Sequence, residues 1–288
     1  MSLVTLSRLE KLTGIRAHTF RTWEQRYALL KNLRTTEGWR TYTIDQTRLL
    51  LHISLLNKAG YKISGIAGLP AEAIAAKAFT LSTDELKQHR AVHALFLYML
   101  SLEPDHFELV LNSCIQHWGL SKTITDVLVP FLEKTGLLYE HSGSTAETLV
   151  LSLVRHKLIA GIEQLPPPMA DAETALLFLP ERQHHDLALL YMYYRLKQYG
   201  VPVLYAGVHT PMETLKQMVL LRPVRFAYTC LLKRGTANVP GLAAFFNEHI
   251  PDTSLLVFNA IGPEPCTCNA PNLAVYTNIH DTHHMMLD

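Results

Sequence analysis

The hydrophobic period of this chain changes once, at Leu165-Pro166-Pro167-Pro168. Before that point apolar residues recur at three- and four-residue spacing, the mark of amphipathic helices. After it, short wholly apolar runs alternate with helical stretches, the pattern of a parallel sheet covered on both faces. One core cannot satisfy both periods, so the 288 residues divide into parts, with the prolines as a stiff linker. At 48% hydrophobic, the chain has enough apolar material to pack those parts, which excludes a wholly disordered protein. No apolar run reaches the roughly 18 residues that span a bilayer, so no membrane partner is expected. Residues 1–14 read as an amphipathic stretch rather than a signal peptide. Four cysteines without framework spacing point to a reducing cytoplasm rather than a disulfide scaffold.

Charge is divided as unevenly as period. Residues 1–70 hold 11 Lys and Arg against 4 Asp and Glu, a net of +7, whereas the rest hold 15 against 21, a net of −6. A basic end on an acidic body suggests a nucleic-acid-binding head. Within the head, Leu3, Leu6, Leu9 and Leu12 predict a first helix that stops at Thr13-Gly14. A second helix is expected over about Arg16–Tyr27. Lys31–Tyr42 lacks helical period and reads as a turn and ribbon with Gly38 at its tip. A further helix spans Asp45 to about Ala59, and a short one starts at Ile63.

Candidate helices at about 83–102, 104–118, 122–139 and 145–164 suggest a four-helix bundle. Beyond the linker, strands are expected at 175–179, 201–205, 224–230, 254–259 and 273–276, with helices at 184–199, after Pro211, and at 238–250. The fold class is thus multidomain α plus α/β: a helical DNA-binding head over 1–73, a bundle over 74–165, and a Rossmann-like parallel domain over 170–288.

A recognition helix needs polar and basic groups on its exposed face and apolar ones beneath. Arg16, His18, Thr19 and Arg21 supply the first; Phe20 and Trp23 supply the second. Arg34, Arg40 and Tyr42 flank the ribbon tip, where cations and a phenol can meet phosphates. Residue by residue, a small helical domain with a solvated basic face fits equally well.

The run Thr13-Gly14-Ile15-Arg16-Ala17-His18-Thr19-Phe20-Arg21-Thr22-Trp23-Glu24-Gln25-Arg26-Tyr27 decides between them. It resembles the DNA-binding domain of MerR-type transcription regulators. The likeness continues through Arg34-Thr35, Arg40-Thr41-Tyr42-Thr43 and the residues from Leu55 to Ile66. It implies a winged helix–turn–helix that binds a near-palindromic double-stranded DNA operator as a homodimer or homotetramer, and it adds Arg26 and Tyr27 to the interface. Glu37 stands where the family often has glycine.

The remainder is similar to the subfamily of light- or cobalamin-responsive repressors, in which a helical bundle caps a cofactor held by a Rossmann-like domain. That likeness implies a lower cobalt ligand in the pattern Asp/Glu-x-His-x-x-Gly, which falls on Gln183-His184-His185-Asp186-Leu187-Ala188. His185 takes the metal-ligand position and Gln183 that of the acid. Thr229-Cys230-Leu231 stands for Ser-x-Leu, so Thr229 and Leu231 fall on the slot for the nucleotide tail. The family's Gly-Gly becomes Ala260-Ile261. Its Trp and Glu-His of the cap become Tyr139 and Glu147-Thr148, so the capping histidine is missing.

Three readings of the pocket follow: cobalamin through His185; another tetrapyrrole, such as a bilin (biliverdin, for example) or haem, walled by Tyr139, Tyr191, Tyr193 and Tyr194; or no cofactor at all. Cys266, Cys268, His280, His283 and His284 include soft thiolates and imidazoles but lack a standard zinc spacing. They read as a surface loop and tail. No Walker loop, nucleophile elbow, His-Glu-x-x-His or dinucleotide fingerprint is present. The chain is therefore expected to be a regulator rather than an enzyme; a cobalamin carrier or methyltransferase module is the rival, and it would have no use for a basic head.

Overall fold

A computed structural model describes residues 3–27, 35–36, 39–138, 144–169, 172–231, 239–259 and 272–276. By packing, the chain forms two compact units: Met1–Leu137 with Gly143–Leu153, and Leu138–Ser142 with Val154–Asp288.

The first unit opens with a two-residue strand, β1 (Val4–Thr5), where the sequence pattern had predicted helix from Leu3. Helix α1 (Leu6–Thr13) follows, capped by the Thr5 hydroxyl and ended by Gly14 at φ 75°, a left-handed conformation that suits glycine. Its Leu6, Leu9 and Leu12 are buried. After a three-residue turn comes α2 (Ala17–Arg26). The ribbon is β2 (Thr35–Thr36) with β3 (Trp39–Tyr42), and β1 pairs with the other side of β3 to give the antiparallel order β1-β3-β2. Helix α3 (Ile44–Lys58) starts at a reciprocal cap between Thr43 and Gln46. The short α4 (Ile63–Ile66) and α5 (Ala71–Phe79) complete the head side.

The bundle helices are α6 (Asp84–Leu100), α7 (Pro104–Trp118), a third helix in pieces, and α10 (Thr145–Gln164). The third helix consists of α8 (Leu120–Thr123), one π turn over Ile124–Leu128, and α9 (Val129–Thr135), stopped by Gly136 at φ 79°. In the π turn the Val129 amide reaches back to the Ile124 carbonyl. Pro130 explains the wide turn: a proline ring in a helix collides with the carbonyl four residues back, and a π turn moves that carbonyl away.

Head and bundle pack as one body within this unit. The Lys134 ammonium donates to the Leu12 carbonyl at 2.9 Å, closing the end of α1. The Arg8 guanidinium lies 5.5 Å from the Phe96 ring centre and 3.5 Å from the Glu147 carboxylate.

The second unit is a five-stranded parallel sheet in the order β5-β4-β6-β7-β8, from β4 (Ala175–Pro180), β5 (Val203–Thr210), β6 (Phe226–Leu231), β7 (Ser254–Asn259) and β8 (Leu273–Tyr276). Helices α11 (Leu187–Gln198), α12 (Met212–Leu221) and α13 (Val239–His249) cover it. One face packs Leu176, Phe178, Leu215, Leu242 and Phe246. The other receives α11, where the Cys230 thiol meets the Met192 sulfur at 3.2 Å. Strand β5 runs five residues beyond its expected end, curving through Gly207 at φ 84° with register shifts against β4. Among the described residues, no helix is long and apolar enough to cross a membrane.

His93 gives the first unit a pH dependence. It is buried, and burial, with Lys134 nearby, holds its pKa at about 3, well below the ordinary 6.5. The unfolded chain therefore binds a proton near pH 6.5 that the folded chain refuses until about pH 3. This contribution to stability is complete above pH 6.5 and is lost as the pH falls towards 3, at up to about 1.4 kcal/mol per pH unit. Urea unfolding between neutral pH and mild acid is expected to be flatter by about one proton in His93→Leu than in the wild type; parallel profiles would contradict this.

Candidate functional site

Two groups of side chains carry the candidate chemistry, one in each unit. In the head, Phe20 and Trp23 are buried edge to face at 5.6 Å, which fixes which side of α2 looks outward. Arg16, His18, Arg21 and Arg26 are exposed there, with Thr19 and Tyr27 half-buried. Tyr42 departs from the expected pattern. Its ring is fully buried and its hydroxyl donates to Glu24 Oε1 at 2.6 Å. It ties the base of the ribbon to α2 instead of standing free for a phosphate. Arg40 lies on β3 and only its backbone is described; Arg34, Glu37 and Gly38 lie outside the described residues.

In the second unit the strand order reverses between β4 and β6. Loops leaving these strands diverge, which opens a crevice at the carboxyl ends where such sheets bind ligands. The loop 181–186 follows β4 directly. Its Arg182 amide donates to His209 Nδ1 at 2.9 Å, and the His209 amide donates to the Gln183 carbonyl at 3.1 Å. The His184 and His209 rings stack at 5.3 Å. Arg182 and His209 both sit at positive φ, 69° and 52°. Non-glycine residues hold such conformations at a cost of order 1–3 kcal/mol, and only where their surroundings enforce them. The loop is thus built to one shape.

That shape sets His185 half-buried between an exposed His184 and a buried Asp186. Asp186 accepts from the Arg155 guanidinium at 2.5 Å. Burial raises the Asp186 pKa, outweighing the opposing pull of Arg155 and of His185. Gln183 is buried, and neither its amide oxygen nor its nitrogen has a hydrogen-bond partner. Across the reversal, Thr229 on β6 is fully buried with its hydroxyl likewise unpartnered. Each such group costs about 1–3 kcal/mol, so three orphaned polar atoms beside one crevice mark a place that suits a polar ligand. Leu231 is an ordinary member of the core cluster on its sheet face.

The remaining expected contacts scatter. Glu147 is buried and faces Arg8 of the head. Thr148 is exposed and its hydroxyl donates to the Ser144 carbonyl at 3.1 Å. Tyr191 and Tyr194 are core residues of α11, and Tyr193 stacks on Tyr205 at 5.3 Å. Tyr139, Ala260-Ile261 and the Cys266 to His284 group lie outside the described residues. Among the described residues, no cluster of three His, Cys, Asp or Glu is arranged for a metal.

The pattern-based reading missed Arg155, Asp186 and His209. Asp186 stood inside the segment 183–188 that resembles the cobalt-ligand motif, a usable signal. Nothing in the local pattern marks His209, which reaches the loop only because β5 overruns and bends.

Residues 4–72 match the family described as MerR HTH family regulatory protein. The chain is 27% identical over 250 residues to the HTH-type transcriptional repressor CarH of Myxococcus xanthus, spanning 84% of this chain and 83% of that one. It is 27% identical over 218 residues to the HTH-type transcriptional repressor CarA of the same organism, spanning 75% and 72%. In fold it is similar to the monomethylamine corrinoid protein of Methanosarcina barkeri, with a TM-score of 0.53 at 14% identity over 69% of this chain and 95% of that one. Residues 4–72 thus match the MerR HTH regulators, in a chain similar over most of its length to two transcriptional repressors and, in fold, to a corrinoid protein.

Proposed function

We propose that the head, about residues 1–73, binds a double-stranded DNA operator in a homodimer or homotetramer, and that a cobalamin-type cofactor over the β4/β6 crevice sets its operator affinity. In this reading 74–165 is the cap, 170–288 is the cradle, and the protein works in the cytoplasm. One observation carries it: a single chain joins an outward cationic face on α2 to a strained loop that presents an imidazole beside orphaned polar groups. The relatives named as transcriptional repressors support the DNA half.

Arg16, His18, Thr19, Arg21, Arg26 and Tyr27 would meet the duplex, and Arg34 and Arg40 would meet flanking phosphates. Replacing Arg21 by Ala is expected to weaken operator retention and to lower the slope of log affinity against log salt by about 0.9. An unchanged slope in a salt-titrated binding assay would remove Arg21 from the interface.

Cobalamin, when bound, supplies a coloured cobalt centre that accepts an imidazole ligand. The chain's own part is to hold His185 at that centre. Its loop is fixed by Arg182 and His209, and Gln183 stands where the family's acid would orient the ring. Thr229 and Leu231 would line the tail slot, whereas Glu147, expected beside the cofactor, is paired with Arg8. Thr148 brings no imidazole, so a light response here runs without a histidine at that place. Illumination would act by favouring one oligomeric state over another, which requires the two states to differ in cofactor affinity.

Protein reconstituted in the dark with cobalamin is expected to show an imidazole-coordinated spectrum that His185→Ala loses, and to change elution volume on illumination. A visible spectrum unaltered by His185→Ala would reject the assigned ligand. Colour only with biliverdin would move the cofactor to the bilin class, and a colourless protein with constant elution would reject the sensor.

A further inference from the structure

We infer that the first unit holds a second ligand site, for an amphipathic carboxylate with a long apolar body, in a cavity between helices α3 and α5 of the head and α6 and α7 of the bundle. The cavity measures about 830 Å³, within the range of small-molecule sites. All of its described lining residues lie between positions 48 and 118, so it shares none with the proposed cofactor cradle.

The lining dictates the ligand. Leu51, Leu55 and Leu97 form a buried apolar floor, while Phe79 and Leu109 remain more than 60% exposed at the wall. Carbon surface of this kind, left open between packed helices, favours an apolar body. Arg48, Lys87 and Arg90 supply positive charge, and no Asp or Glu is among the described lining residues. Arg90 lies over the Phe79 ring at 5.3 Å, and His52 meets the same ring edge-on at 5.8 Å. Burial and, after it, the charges of Arg48 and Arg90 hold the His52 pKa below its ordinary value. Arg48 has an ion pair with Asp45, and Lys87 one with Asp84; both are surface pairs at 3.4 and 3.8 Å, which compete weakly with an incoming anion.

Two orphaned polar atoms point the same way. Trp118 and His93 are among the lining residues, and the Trp118 indole nitrogen and His93 Nδ1 are buried without a hydrogen-bond partner. An indole N–H is a donor, and an imidazole nitrogen donates or accepts according to its tautomer. An anionic head on an apolar body matches the charge and the carbon surface of the lining; a cation meets the wrong charge.

The test is titration calorimetry of the full chain with dodecanoate, and with decyltrimethylammonium as the charge control. One saturable dodecanoate site is expected, with a shift in tryptophan emission that Trp118→Phe removes and with no binding of the cation. Arg48→Ala is expected to weaken binding by about tenfold. Ala94→Trp, which fills the cavity from α6, is expected to abolish it. Absence of saturable binding up to about 1 mM would overturn the inference. So would dodecanoate affinities unchanged in both folded variants, or equal binding of the cation.

Discussion

A parallel sheet has to bury both faces, and its strands must be joined by crossovers that run back over those faces. With the order β5-β4-β6-β7-β8, the connections go one way from β4 and the other way for the later strands. Everything chemically distinctive in the second unit depends on that reversal. It leaves the β4 loop without a neighbouring loop on one side, which gives His185 its place. It also puts the end of β6, with Thr229, on the opposite lip. The protein reinforces this opening instead of closing it: β5 is extended and bent until His209 braces the loop from outside.

The first unit is organised on a different rule. A helix–turn–helix of two short helices has too little core to be rigid alone. Here α1 gains a second set of contacts, through Arg8 to Phe96 and Glu147 and through Lys134 to its last carbonyl. Tyr42 and Glu24 do the same for the ribbon and α2. The orientation of the outward side chains of α2 is therefore determined partly by the bundle. Glu147 illustrates the point, because a residue expected at a cofactor is found paired with the first helix of the head.

How far the sequence could be read follows from the range of the interactions. Helical and strand periods are local, so α6, α7, β7 and β8 fall where their apolar spacing put them. The α2 face was legible because one side of a helix must be apolar, and Phe20 and Trp23 announce it. The β1 pairing with β3 was not, since two residues carry no period and owe their strand to a partner far along the chain. The same holds at the crevice: His185 came from a motif, while the bracing by His209 and Arg155 arises from tertiary contacts that no spacing encodes. Tyr42 was assigned by residue type, and burial decided otherwise.

The wide turn at Ile124–Leu128 has a consequence for the head. A π turn holds one residue more than the α-helical turn it replaces, and each helical residue advances the direction of its side chain by about 100°. Were Pro130 exchanged for a residue that lets the turn tighten, all that follows would rotate by about that angle, Phe131, Leu132 and Lys134 together. The ammonium would swing off the carbonyl that it now closes at the end of α1. One imino ring in the bundle thus sets the phase of a helix whose last turn anchors the reading head.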